Sequence, residues 1–439
     1  MTKFKHNFTC PYCFNQEPIQ HIQFRCEGTC PEIEDDDLNK YYGTNVKNAK
    51  HITTTIEKIK LTEKILNNKI IAKRVFSPSF TLPRSKYFEN LFFYSEYVKK
   101  QKRAKCNKCN KESGIIVCPN CHNSLTFDIL KGKIKTIALV GTQQSGKSTY
   151  IGVLIDQLRN EQKGDDKIET KIGYKISFLP KDRKSPQRYN DDFYLPLFHK
   201  NKLISKTKSI VIEEDGTGNP EVVLGNSRPI LLNFLNPKNN EEQTFVFYDA
   251  AGEDLENTQV QEIVKNYIKM ANAVIFLLDP GRFLGVCTED PKTKDLTTTD
   301  FRSPIDVLTL VIDCLHQRYR EKIDLPFVFA FSKLDEFDST LGTYPVLMRS
   351  AKSLHKDKYD KNHGDDINES VKQYMQAIRA FPILSCIDSD FEEQSIHFSA
   401  FSALGHPPSG DSIVHEIKPY RMEDAVYYIL WKFNMIEKS

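Results

Sequence analysis

From Ile134 onward the chain alternates short apolar runs with stretches in which apolar residues return every three or four positions. The runs Ile134 to Val140, Ser209 to Glu213, Pro229 to Phe234, Thr244 to Tyr248, Ala273 to Leu278, Pro326 to Phe331 and Ser395 to Ser399 have the length and the β-branched or aromatic content of strands. Helical spacing appears at Ile151, Leu154, Ile155 and Leu158, and again at about 256 to 270, 305 to 319, 366 to 380 and 422 to 433. In the last of these, Met422, Val426, Ile429 and Phe433 share one face. Strand and helix in alternation predict an α/β fold, a mainly parallel sheet with helices on both faces. Polar stretches at about 160 to 206 and 339 to 368 exceed an ordinary connection and predict functional or unstructured loops.

Residues 1–132 read differently. They are Lys/Asn-rich and weakly periodic, and they carry all but three (Cys287, Cys314, Cys386) of the 11 cysteines. The change near Lys131-Gly132-Lys133 predicts a small domain over 1–132 and a larger one over 133–439. A chain of 439 residues with 39% hydrophobic residues can fill two or three cores. Its 61 basic and 58 acidic residues leave a net charge of +3, too balanced to argue by itself for nucleic acid or membrane. No apolar run approaches the ~18 residues of a membrane span, and the start lacks the apolar core of a secretory signal, so a cytoplasmic protein is expected.

The first strand of the larger region runs into Gly141-Thr-Gln-Gln-Ser145-Gly146-Lys147-Ser148-Thr149, a G-x-x-x-x-G-K-S loop that opens a helix. Two glycines let the backbone bend so that successive N–H groups face phosphates. Lys147 is placed to reach the β and γ oxygens and Ser148 to hold Mg²⁺. The helix N-terminus that follows favours anions. A nucleoside triphosphate is the expected ligand.

Two further segments follow strand-like runs. Asp249-Ala-Ala-Gly252-Glu253 follows Thr244 to Tyr248, and Ser332-Lys333-Leu334-Asp335 follows Pro326 to Phe331. The last run ends in Ser399-Ala400-Phe401-Ser402-Ala403, which offers two overlapping Ser-Ala copies, the first directly ending the strand. In this order the elements resemble a Ras-like, TRAFAC-class P-loop GTPase over about 134 to 439.

The resemblance implies GTP and GDP as ligands, with Asp335 accepting from guanine N1 and N2, Lys333 along the base and Ser332 where Asn or Thr is commoner. Ser399 and Ala400 would supply backbone N–H to the guanine carbonyl, and Asp249 and Gly252 would serve the Mg²⁺ shell and the γ-phosphate. Thr207 is the candidate switch threonine. Glu253 stands where the water-orienting glutamine is usual, and its charge beside an anionic phosphate predicts slow intrinsic hydrolysis. Arg282 and Arg302 could serve as arginine fingers, without geometry to favour either.

The cysteines fall into knuckles: Cys10-Pro-Tyr-Cys13, Cys26-Glu-Gly-Thr-Cys30, Cys106-Asn-Lys-Cys109 and Cys118-Pro-Asn-Cys121. Paired knuckles present four thiolates to structural Zn²⁺, so two zinc ions and two zinc ribbons are expected. Sequential pairing is the simplest assignment, with cross-bracing the alternative. His122 completes a C-x-x-C-H haem signature, against which the nearby partner knuckle weighs. Lys99, Lys100, Lys102, Arg103, Lys105, Lys108 and Lys111, preceded by Phe92, Phe93, Tyr94 and Tyr97, form a basic and aromatic segment that could contact nucleic acid, although a solvated face is the plainer reading.

Zinc ribbons ahead of such a GTPase domain also resemble the GTPase-like proteins of bacterial conflict (anti-phage) gene clusters. That resemblance implies a regulatory switch relaying a signal to a protein effector or sensor partner. The alternatives are a non-catalytic, nucleotide-stabilised adaptor for nucleic acid or protein, and a translation or ribosome-assembly GTPase.

Overall fold

A computed structural model describes residues 7–42, 63–66, 69–78, 103–130, 134–142, 144–160, 172–179, 182, 184–204, 211–214, 220–223, 229–249, 261–279, 303–337, 347, 354–355 and 358–439. The chain divides into two compact units. One comprises Met1–Ile134 with Lys181–Lys184 and Lys208–Ser227, and the other the remainder.

The larger unit is built on seven strands: β1 (Ile134–Gly141), β2 (Lys175–Phe178), β3 (Ile230–Asn236), β4 (Glu241–Asp249), β5 (Ala273–Leu278), β6 (Phe327–Phe331) and β7 (Ile396–Ala400), in the order β2-β3-β4-β1-β5-β6-β7. The β1/β5, β5/β6 and β6/β7 pairs are parallel, whereas β2/β3 and β3/β4 are antiparallel. The sheet is therefore mixed where a mainly parallel one was expected. The tight turn at Asn236 to Glu241 makes β3 and β4 a hairpin, which only antiparallel strands can share. The run expected at Ser209 to Glu213 does not join this sheet. Val211–Glu214 pairs instead with Pro220–Val223 in a hairpin of its own.

Strand alternation sends side chains to two covered faces. Ile275 and Leu277 of β5 and Val328 and Ala330 of β6 join the core formed with α1 (Lys147–Asn160) and with α7 (Asp424–Lys432) near the chain's end. On the other face Phe276, Phe327, Phe329, Phe391 and Phe398 interlock, with centroid separations of 4.7 Å for Phe327–Phe391 and 5.5 Å for Phe329–Phe398. Each such buried ring contributes about 1.5–3 kcal/mol. Between these elements in the chain come α3 (Gln261–Lys269), α4 (Pro304–His316), α5 (Lys361–Ala377) and α6 (Phe381–Asp390). Helix α4 starts where the sequence dictates, with Ser303 and Asp306 exchanging a capping box and Pro304 at the first turn.

The stretch from 160 to 206 is more structured than its polarity suggested. It holds β2 and α2 (Tyr189–His199), an 11-residue π-helix that buries Tyr189, Phe193 and Leu197. The three buried side chains face inward against α1, where Gly152 allows a close approach. A Cβ there would stand 2.9 Å from Leu197 Cδ1 and 3.1 Å from Phe193 Cβ.

Tyr267 of α3 closes the seam between β1 and β4. Its hydroxyl accepts from Leu139 N at 2.7 Å and lies 3.0 Å from both the Ile137 and the Tyr248 carbonyl oxygens. Tyr267→Phe leaves the buried Leu139 N–H without that acceptor. A loss of about 1–3 kcal/mol is expected in urea-induced unfolding.

His397 is buried in β7, stacked on Tyr428 at 4.3 Å and 10°. Burial, then the charges of Arg421, Lys361 and Lys432, push it down to about 3. Because the folded value lies below the unfolded one of about 6.5, the unfolded chain takes the proton first as pH falls. The stabilisation is thus complete above pH 6.5 and declines toward pH 3. His397→Phe, which keeps a ring against Tyr428, should flatten the acid limb of unfolding free energy against pH by up to about 1.4 kcal/mol per pH unit. An unchanged slope would refute the assignment.

Candidate nucleotide site and metal centres

The carboxyl ends of the parallel strands stop level with one another. Gly141 pairs with Leu277, Leu278 with Phe331, and Phe331 with Ala400. The glycine loop after β1, Ser332-Lys333-Leu334-Asp335 after β6 and Ser399-Ala400 at the end of β7 therefore share one edge of the sheet. At ordinary strand spacing the first two are separated by about 10 Å. This edge also carries the topological switch point, since β1 has β4 on one side and β5 on the other.

Gly141 has no space for a side chain. A Cβ would meet the Leu277 carbonyl oxygen at 2.6 Å and Ser145 Oγ at 2.8 Å. Gly146 sits at φ +84°, a conformation that favours glycine. Between them Ser145 is buried and its hydroxyl donates to the Thr142 carbonyl at 2.8 Å. The Lys147 ammonium is buried too and donates to the carbonyls of Gly141 at 2.9 Å and Thr142 at 2.7 Å, so it lies across the loop. Ser148 and Thr149 are half-buried on the first turn of α1.

Ser332 is tied back to β5, its N–H donating to the Leu278 carbonyl at 2.9 Å and its hydroxyl to the same oxygen at 3.2 Å. Lys333 adopts φ +58° and its ammonium pairs with Asp279 Oδ2 at 2.8 Å. Asp335 lies half-buried in the 3₁₀ turn Leu334–Phe337. Leu334 N donates to the Phe401 carbonyl at 3.1 Å, joining this loop to the one after β7. Of the two Ser-Ala copies, the second is engaged in its own turn. Ser402 N donates to the Tyr420 carbonyl at 3.0 Å and its hydroxyl accepts from Gly405 N at 2.8 Å. Asp249 is the last residue of β4. Gly252, Glu253, Thr207, Arg282 and Arg302 lie outside the described residues.

Asp279 was missed from the sequence, although a buried acid directly after an apolar strand was the available signal. Its partner lies 54 residues away, at a pairing that no spacing rule reveals.

The knuckles do not pair sequentially. Cys10, Cys13, Cys118 and Cys121 form one tetrad, and Cys26, Cys30, Cys106 and Cys109 the other. The pairing is nested, the outermost knuckles together and the inner two together. The reason lies in the strands between them: Gln23–Arg25 pairs with Ile116–Val117, bringing the two ends of the segment side by side. Sulfur separations are 3.8 Å for Cys10–Cys121 and Cys13–Cys118, 3.5 Å for Cys26–Cys109 and 3.7 Å for Cys30–Cys106. A Zn–S bond of about 2.3 Å places tetrahedral sulfurs about 3.8 Å apart, so both tetrads fit Zn²⁺. Burial, with the neighbouring sulfurs adding, pushes the Cys10 thiol well above its usual range, a shift that a divalent cation would reverse.

A buried polar bridge links the tetrads. Arg25, beside Cys26, donates to Asp35 at 2.9 Å and to the His122 carbonyl at 3.0 Å, while His122, beside Cys121, contacts Asp35 through Nδ1 at 2.7 Å. Burial works to raise the Asp35 carboxyl, but the bonds from His122 and Leu38 N and the charges of His122 and Arg25 hold it below its ordinary range. Of the basic segment, Arg103, Lys105, Lys108 and Lys111 are exposed; Lys99, Lys100, Lys102, Phe92, Phe93, Tyr94 and Tyr97 lie outside the described residues. Among the described residues no helix is long and apolar enough to cross a membrane.

No family model matches the chain. It is 25% identical over 331 residues, 73% of its length and 80% of the relative's, to SaeC of Mycolicibacterium smegmatis, provisionally described as an ESX-1 scaffolding and assembly protein. Similar solved structures include the signal recognition particle receptor SRb-GTP/SRX complex from Chaetomium thermophilum (12% identity, TM-score 0.24, 63% of this chain and 94% of that one). Aquifex aeolicus Era bound to GDP and aluminium fluoride gives 12%, 0.26, 68% and 56%. The S. cerevisiae Ski7 GTPase-like domain bound to GTP gives 13%, 0.28, 72% and 54%. At TM-scores this low the overlaps bear on neither ligand nor activity.

Nested pairing has a direct test in metal content. The double variant Cys10→Ser/Cys118→Ser should keep one of two zinc equivalents by mass spectrometry, and Cys10→Ser/Cys26→Ser should lose both. Sequential pairing requires the reverse.

Proposed function

We propose that the chain is a guanine-nucleotide-dependent regulatory switch, with a zinc-binding domain over residues 1–132 and a P-loop GTPase domain over 133–439. The observation that carries this reading is the level ending of β1, β6 and β7, which brings a G-x-x-x-x-G-K-S loop, an S-K-x-D loop and a Ser-Ala segment to one edge. Lys147 and the N–H groups from Gly141 to Thr149 would cradle the phosphates. Ser148 and Asp249 would hold Mg²⁺, which supplies neutralising charge on the phosphate oxygens. Asp335 would accept from the guanine edge, held by Ser332 and by the Lys333–Asp279 pair. Adenine lacks the 2-amino donor and would leave that carboxylate short of a partner, a difference of roughly 1–3 kcal/mol. Glu253, in place of a neutral water-orienting side chain, would slow intrinsic turnover.

The SaeC relative supports a second reading, in which nucleotide stabilises a scaffold for protein assembly and is not hydrolysed. The defence setting implied by the sequence resemblance gains no support from that relative, and neither reading depends on it. Nucleic-acid contact through Arg103, Lys105, Lys108 and Lys111 stays secondary to a protein partner.

Fluorescent mant-GTP should bind and ATP should not compete at equal concentration. Asp335→Asn should shift preference toward xanthosine nucleotides. Turnover of GTP that disappears in Lys147→Ala separates switch from scaffold, and equal affinity for ATP and GTP would overturn the base assignment.

A further inference from the structure

Three residues to which no ligand contact was assigned above join the two sides of the nucleotide edge. Tyr150 lies on the first turn of α1, three positions after Lys147. Its ring stands 4.7 Å from that of Phe401 at 55°, and its hydroxyl donates to the Met422 carbonyl at 3.1 Å. Tyr150 and Met422 are each 1% exposed and Phe401 2%. Burial first, with the Glu423 and Asp424 charges adding, raises the Tyr150 hydroxyl, which stays a donor at any working pH.

Phe401 is the node of the base-side loops. Its N–H donates to the Phe331 carbonyl at 2.8 Å, at the end of β6, and its carbonyl accepts from Leu334 inside Ser332-Lys333-Leu334-Asp335. One residue therefore holds the S-K-x-D loop and the Ser-Ala segment together through its backbone, while its ring rests on the helix that the phosphate loop opens. The segment carrying Met422 is fixed in turn. Tyr420 and Ser402 exchange both backbone bonds, at 2.8 and 3.0 Å, and Arg421, at φ +58°, pairs with Asp424 at 2.7 Å with both side chains inaccessible.

We infer that Tyr150 and Phe401 are positioning residues that couple the phosphate-binding and base-binding halves of the site, so that a ligand ordering one half raises affinity at the other. The inference rests on the nucleotide reading given above. Closely packed rings move together and do not deform continuously, so a shift of the α1 N-terminus reaches the Leu334 loop through two contacts. Such coupling is reciprocal by thermodynamic necessity.

The test uses the full chain and two half-site probes in isothermal titration: inorganic tripolyphosphate with Mg²⁺ for the phosphate half and GMP for the base half. Phe401→Leu, on the base side, should weaken tripolyphosphate about fivefold or more, and Tyr150→Leu, on the phosphate side, should weaken GMP by a similar factor. Tyr150→Phe, which keeps the ring and loses only the Met422 bond, gives a smaller crossed effect should the larger truncation fail to fold. Phe391→Leu, equally buried but remote from this edge, should leave both affinities unchanged. Coupling is overturned if each variant alters only the probe on its own side, or if Phe391→Leu matches their effects. A wild-type chain that binds neither probe removes the nucleotide reading and the coupling together.

Discussion

The parallel register of β1, β5, β6 and β7 is the constraint on which the larger unit depends. These strands are buried on both faces, so a slip by one residue would exchange the Ile275 and Leu277 set with the Phe276 set and disrupt two cores at once. With the register held, the strands end together, and the loops that follow them are presented side by side. The bonds of Ser332 to Leu278, Leu334 to Phe401 and Phe401 to Phe331 then need only short reaches. The placement of these loops side by side is a by-product of the hydrophobic packing beneath them.

Much of this was legible in the sequence because it is local. The β5 run from Ala273 to Leu278 matches its strand, and the start of β1 and the helix opened by Lys147 follow from residues close in the chain. What was not legible is long-range. Asp279 meets Lys333, Tyr267 fills the β1/β4 seam, and Tyr150 reaches Met422 across 272 positions. The region 160 to 206 was misjudged for a different reason: Tyr189, Phe193 and Leu197 do recur every four residues, but Asp191, Asp192 and an internal Pro196 lie among them, and the polar residues around this short run hid its helical face. Thr207, Gly252 and Glu253, named from the resemblance, fall outside the described residues.

The two units use different means of holding themselves together. The larger one relies on aromatic and aliphatic packing over a broad sheet, with Gly141 admitting a close approach to the Leu277 carbonyl that any side chain would block. The smaller one has short strands, a small set of buried rings such as Phe8, Phe14, Phe24 and Phe76, and two sulfur tetrads joined by the Arg25–Asp35–His122 bridge. A metal held by the two tetrads would add to what this apolar packing contributes.

Nesting of the cysteine knuckles sets an order of events during synthesis. Cys10 and Cys13 leave the ribosome about a hundred residues before the partners that complete their tetrad, the Cys10–Cys121 separation being 111 positions and Cys30–Cys106 76. The interior tetrad can close first, and once it has, the effective loop facing the exterior one is far shorter, lowering an entropic cost that grows with the logarithm of length. Until then the four N-terminal thiols of the two knuckles wait without the partners that complete their tetrads.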